Sequence, residues 1–149
     1  AQLVMIGRGP ERNRCLKKAA ALGIEGSVRC PGYVDEETLQ ALYHLCTCFA
    51  LPTGEDEQGQ VEGFGLVFTE AQAHAKPVVA GRSGGVTDAV LDGKTGILIP
   101  PMSVEKLTDA LYTLLSQPEY ARELGEAGRR RVEETLNWDT FSKRLLDDE

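Results

Sequence analysis

Glu62 and Glu70 bracket a glycine-rich turn, Gly63-Phe64-Gly65, that leads directly into the apolar stretch Leu66-Val67-Phe68. Glycines allow a backbone to approach a ligand closely. The start of a helix presents unpaired N–H groups suited to phosphate oxygens. At helical spacing Glu70 falls on the side of Leu66, Val67 and His74, among Ala71, Ala73 and Ala75. So apolar a helix is expected to lie against a sheet, and a carboxylate buried in it needs donors. Ribose hydroxyls would supply them, which makes the segment a candidate sugar-nucleotide site. The competing reading is a solvated acid at a helix start and a second acid on the surface.

Other residue groups carry weaker signals. Gly7-Arg8-Gly9-Pro10 resembles a dinucleotide turn, but Arg12 stands where a third glycine is needed. A plain strand-to-helix turn and a phosphate-side contact both fit it. His44 and His74 lack an evident carboxylate or nucleophile partner and read as structural. Arg129-Arg130-Arg131 reads as a solvated helix end, and Glu55-Asp56-Glu57 as an exposed acidic loop rather than a metal site. Cys15, Cys30, Cys46 and Cys48 form no CxxC pair and have no zinc-like spacing to histidine. They read as reduced, mostly buried thiols of a cytosolic protein.

The elements that must position these groups follow from alternation of short apolar runs with helical patterns, the mark of a parallel α/β sheet. Strands are expected at 3–6, a buried one, and at 27–30, 48–52, 77–80 and 96–100. Helices are expected from Pro10 to Leu22, after a cap at Asp35, from the turn at Gly65 to Lys76, and at 86–91. Three more follow caps or starts at Ser103, Pro118 and Asn137. The expectation is one doubly wound, Rossmann-like unit of about five strands and about seven helices. Ligands of such sheets lie outside the carboxyl ends of the strands. There the loops 7–10, 31–35, 52–65 and 81–85 concentrate glycine.

A chain of 149 residues is long enough for one domain with a real core. Its net charge of −7 argues against general nucleic-acid binding, which needs a basic face. The opening Ala1-Gln2-Leu3 inside a strand-like run, and the close within a charged helical pattern, are those expected of a domain excised from a longer protein. No signal peptide and no apolar run of spanning length is present in the sequence.

Six stretches in order resemble the C-terminal, donor-binding half of a family 4 retaining glycosyltransferase of the GT-B architecture. They are residues 6–11 (Ile-Gly-Arg-Gly-Pro-Glu), 28–34 (Val-Arg-Cys-Pro-Gly-Tyr-Val), the Glu62–Glu70 pair, 77–81 (Pro-Val-Val-Ala-Gly), 83–85 (Ser-Gly-Gly) and 92–101 (Asp-Gly-Lys-Thr-Gly-Ile-Leu-Ile-Pro-Pro). The resemblance covers essentially the whole chain, 1–149, and implies an absent N-terminal acceptor domain. It implies nucleotide contacts from Tyr33, Val34, Leu66 and Glu70, with Glu70 on the ribose. It implies donor-sugar and diphosphate contacts from Glu62, Gly63, Phe64, Gly65, Gly7 and Gly9, with Glu62 the catalytic residue that places the sugar. The family's diphosphate-gripping Arg and Lys would precede Ala1. Thr87 and Asp88 stand where Pro-Glu is usual.

The implied reaction moves a hexose from a nucleoside diphosphate sugar, such as GDP-mannose or UDP-glucose, with no cofactor and no metal. The longer loop before Glu62 is similar to that of lipid-linked mannosyl- or glucosyltransferases. The implied setting is cytoplasmic, with an acceptor that can lie at a membrane surface. A nicotinamide-type Rossmann binder, a sugar phosphorylase or epimerase of the same architecture, and an interaction module without chemistry stay open as alternatives.

Overall fold

The computed structural model describes residues 1–55, 59–136 and 140. Asp56 and Glu57 of the acidic loop and the helix expected after Asn137 lie outside the described residues. The contacts divide the chain into two units, Ala1–Leu42 and Tyr43–Glu149.

The first unit pairs two parallel strands, β1 (Leu3–Ile6) and β2 (Val28–Gly32), with Leu3 opposite Val28. Helix α1 (Arg12–Ala21) joins them through a 3₁₀ turn at Glu25–Ser27. Gly23, at φ +67, reverses the chain after α1, a conformation glycine adopts without a Cβ penalty. Helix α2 (Glu36–Leu45) begins as its sequence requires: the Thr38 amide donates to Asp35 Oδ1 at 2.8 Å. β1 is not the buried strand its apolar run suggests. Leu3, Val4 and Ile6 stay 53, 39 and 42% exposed, and Ala19 is the unit's one buried hydrophobic residue. Two short strands and one packed helix offer too little surface to cover them.

The second unit holds the core. Its parallel sheet runs in the order β3 (Phe49–Leu51), β4 (Val78–Gly81), β5 (Gly96–Ile99). β4 is buried throughout, as a Val-Val-Ala strand covered on both faces must be. Helices α5 (Val104–Ser116) and α6 (Pro118–Thr135) close it with Val79, Ile99, Ala110, Leu114, Ala121 and Leu124. Ser103 caps α5 through the Lys106 amide, and Pro118 opens α6 at its first position.

Helices α3 (Leu66–Ala73) and α4 (Val86–Ala89) complete the unit. Glycine sets how closely α6 meets α3. A Cβ on Gly125 would stand 2.1 Å from the Ala75 carbonyl oxygen, and one on Gly128 would stand 2.8 Å from Gln72 Cγ.

Among the described residues the strands pair in parallel within each unit, β1 with β2 in the first and β3-β4-β5 in the second. Alternation of strand and helix patterns specifies parallel strands but carries no information on lateral neighbours. Burial was also expected of the four thiols. All four are free and only half-buried.

Candidate functional site

In the first unit the loop after β1 turns at Gly7, whose φ of +123 excludes most side chains, and its amide donates to the Gly32 carbonyl at 2.8 Å. Arg8 then lies over the Tyr33 ring, 5.8 Å from its centroid, a cation–π contact. Tyr33 is 73% exposed, the form of a ring available for stacking, whereas Val34 is half-buried. Arg12 fixes the start of α1 against β2 by donating twice to the Cys30 carbonyl, at 2.9 and 3.2 Å. An open cleft of about 480 Å³ includes Val34, Arg29 and Thr38 in its wall, and a smaller one of about 220 Å³ includes Gly7, Arg8 and Arg12. Gly9 has open space around it.

In the second unit the Glu62–Gly65 turn rests on the glycine pair after β4. The Gly85 amide donates to the Glu62 carbonyl at 3.1 Å. A Cβ at Gly84 would stand 2.2 Å from the Glu62 oxygen, and one at Gly85 would stand 1.8 Å from the Gly63 oxygen. Only side-chain-free residues permit that approach. Beneath, Gly81 meets the Thr53 carbonyl just as closely, at 1.7 Å from its ideal Cβ. The end of β4 and the loop after β3 thus meet backbone on backbone, and Glu62 is half-buried with Phe64. Thr53 Oγ1 and Ser83 Oγ, in the loops after β3 and β4, are buried polar atoms without a hydrogen-bond partner among the described residues.

Helix α3 starts at Gly65, held left-handed at φ +79, with no side chain capping it. Its Phe68 amide donates to the Gly65 carbonyl at 2.9 Å, which leaves the Leu66 and Val67 amides as donors for an external acceptor. Leu66 is 64% exposed at this end. The buried face of α3 is Phe68, Ala71 and Gln72, not the face of Glu70. Glu70 is exposed, which corrects the expectation of a carboxylate embedded in an apolar face. The physical reason is the phase of a short helix. Gln72 takes the interior polar position by donating to the Phe68 and Ala89 carbonyls at 3.2 and 3.0 Å.

Glu70 nevertheless has a defined partner that composition did not reveal. The Tyr43 hydroxyl, from the last turn of α2, donates to Glu70 Oε2 at 3.0 Å. His74 lies 22° from parallel with the Tyr43 ring at 5.4 Å, and its Nδ1 is 2.9 Å from the Glu70 carbonyl oxygen. A carbonyl only accepts, so that bond requires the proton on Nδ1. These two contacts hold the His74 ring; His44 is exposed.

Two further groups were missed. Asp92 accepts from the Leu98 amide at 2.9 Å and pairs with Arg82 at 2.5 Å, tying the loop after β4 to β5. Arg131 is not a solvated end residue: it donates to the Ala89 and Asp88 carbonyls at 2.8 and 2.5 Å, closing α4. Desolvation there holds its guanidinium below the usual arginine value, offset in part by Asp88. Burial likewise pushes the Cys46 and Cys48 thiols up, the opposite of what a reactive thiol needs.

Parallel α/β units with glycine-rich turns after their strands, one of them opening an uncapped helix, define a Rossmann-like class of protein. Within that class the family model of glycosyl transferases group 1 matches residues 1–131, and the chain belongs to that family. A Mycobacterium tuberculosis protein, GDP-mannose-dependent alpha-(1-6)-phosphatidylinositol monomannoside mannosyltransferase, is 38% identical over 99% of this chain and 38% of its own length. The sucrose-phosphate synthase of Thermosynechococcus elongatus superposes with a TM-score of 0.83 at 30% identity, over 98% of this chain and 37% of that one. Anabaena HepE, solved in complex with UDP-glucose, has the same fold at a TM-score of 0.83 and 21% identity, over 99% of this chain and 40% of its own. The chain spans about two fifths of the length of these relatives.

Proposed function

We propose that this chain is the donor-binding part of a retaining glycosyltransferase, and that its donor is a nucleoside diphosphate hexose. The observation that carries the reading is the start of α3. A left-handed glycine opens the helix, no side chain caps its Leu66 and Val67 amides, and the turn before it is seated on Gly84 and Gly85. Those amides hold the diphosphate and stabilise the charge that grows on it as the sugar–phosphate bond breaks, a form of electrostatic preorganisation. Glu62 accepts hydrogen bonds from the hexose hydroxyls and places the sugar, while Phe64 borders it. Glu70, one turn further along α3, accepts from the ribose, with Leu66 beside it. Placing the sugar, rather than attacking it, is the role of Glu62.

The name of the mycobacterial relative makes GDP-mannose the donor to test first, and a lipid-linked acceptor at a membrane surface the acceptor class to test in the whole protein. Among the described residues no helix is long and apolar enough to cross a membrane. A cytoplasmic setting, with the acceptor bound by a further domain, is part of this proposal.

Calorimetric titration with GDP, UDP and NAD tests it. Saturable GDP binding, weaker UDP binding and no NAD binding are expected. Glu70→Ala should weaken GDP by about 1–3 kcal/mol, the value of charged hydrogen bonds lost. Tight NAD binding without nucleoside diphosphate binding, or unchanged GDP affinity in Glu70→Ala, refutes the reading.

A further inference from the structure

We infer that Tyr43 is a positioning residue for the nucleotide: its hydroxyl holds the Glu70 carboxylate ready for the ribose. The inference rests on the assignment of Glu70 made above and adds a residue from a different element, 27 positions earlier in the chain.

Glu70 stands exposed on a helix, where a glutamate side chain ordinarily samples several rotamers. Ordering it on ligand binding costs side-chain entropy. Tyr43 removes that cost beforehand. It is 6% exposed, its ring is stacked on His74 at 5.4 Å and tilted against Phe49 at 5.8 Å, and its O–H donates to Oε2. A buried ring gripped on two sides gives the hydroxyl one location. His74 in turn bonds to the backbone of Glu70 itself, so ring, carboxylate and helix are fixed as a set.

A carboxylate offers about four lone-pair sites. The phenol uses one on Oε2 and leaves Oε1 entirely for the ligand, which suits two adjacent hydroxyls on one ring. Tyr43 does not touch the ligand in this arrangement; it acts through Glu70.

The alternative is a tether that only joins the end of α2 to α3. The two differ in how the tyrosine effect depends on the ribose. Tyr43→Phe keeps the ring, its stacking and its volume, and removes the donor alone. Kd is measured by calorimetry for GDP and by competition for 2′,3′-dideoxy-GDP (or the uridine pair, if UDP binds more tightly), with melting temperature followed in parallel.

Tyr43→Phe should weaken GDP about 3- to 10-fold, the scale of one ordinary hydrogen bond, and leave 2′,3′-dideoxy-GDP unchanged. Equal weakening of both nucleotides, or of neither, overturns the positioning role while leaving Glu70 on the ribose. If instead the unmodified chain binds both nucleotides alike, or Glu70→Ala does not weaken GDP, the site assignment falls and this role with it.

Discussion

Gly85→Ala isolates the contact on which the candidate site is built. Gly85 has φ −80 and ψ +5, a conformation alanine adopts without strain, so any effect comes from space alone. The added Cβ would stand 1.8 Å from the Gly63 carbonyl oxygen and 2.9 Å from its carbon. Real Cβ contacts do not fall below 3.0 Å, so the Gly63 oxygen must retreat by about 1.2 Å, the difference between the two distances. Both contacts are backbone, which cannot rotate aside as a side chain would. Overpacking of this kind costs about 1–3 kcal/mol. The retreat also stretches the 3.1 Å bond from the Gly85 amide to Glu62, worth about 0.5–1.5 kcal/mol.

A loss of about 2–4 kcal/mol is therefore expected, read as a fall in the urea midpoint, together with weaker GDP binding as Glu62 and the start of α3 shift. Gly26→Ala is the control. Its Cβ meets nothing within 4 Å, and its change should stay within about 0.5 kcal/mol. A Gly85→Ala protein as stable as the control, with unchanged GDP affinity, would refute the argument that this glycine seats the turn.

Three other expectations follow from particular bonds. In the whole protein, Glu62→Gln should lower kcat about 10-fold or more while changing nucleotide Kd little; equal losses in both would make Glu62 a structural residue of the turn. Asp92→Ala should cost about 1–3 kcal/mol in denaturant melts because it leaves the Leu98 amide without its acceptor. Arg82→Ala should cost under about 1 kcal/mol, because the pair it breaks is half exposed; the reverse order would show the ion pair to be the stronger tie. Asp35 is held below the usual carboxylate value by its hydrogen bonds from Thr38, side chain first and backbone second. Its cap therefore stabilises α2 fully above the unfolded carboxylate value and fades as pH falls through the folded one. Amide exchange along α2 should separate Asp35→Ala from the unmodified chain at neutral pH and not below the folded value; a difference persisting in acid would contradict the capping role.

What the sequence made legible was what local chemistry decides. Asp35 and Ser103 cap where they were expected to, and Pro118 opens α6, because these signals act within one helical turn. The glycines after β1 and β4 likewise marked turns: Gly7 takes a φ of +123, and Gly84 and Gly85 meet the Glu62 turn backbone on backbone. The facing of α3 was not legible. It has eight residues with apolar side chains on several sides, so its period is weak, and the buried polar residue proved to be Gln72 rather than Glu70. Tyr43 lies at helical spacing with Leu39, Leu42 and Cys46, and nothing local announces that its hydroxyl reaches a carboxylate 27 residues away. Arg131 reads as one of three solvated arginines until the fold brings α4 beneath it.

That last arginine has a consequence for where such a domain can be cut. The Glu62 turn leans on Gly85, which begins α4, and the far end of α4 is closed by Arg131 from the fourth turn of α6. A chain trimmed inside α6 ahead of this position would keep every residue assigned to the donor, yet leave the Asp88 and Ala89 carbonyls without their guanidinium. The floor under Glu62 would then loosen from below, so the working boundary of the donor site lies at least sixty residues beyond Glu70, in a helix that never meets the sugar.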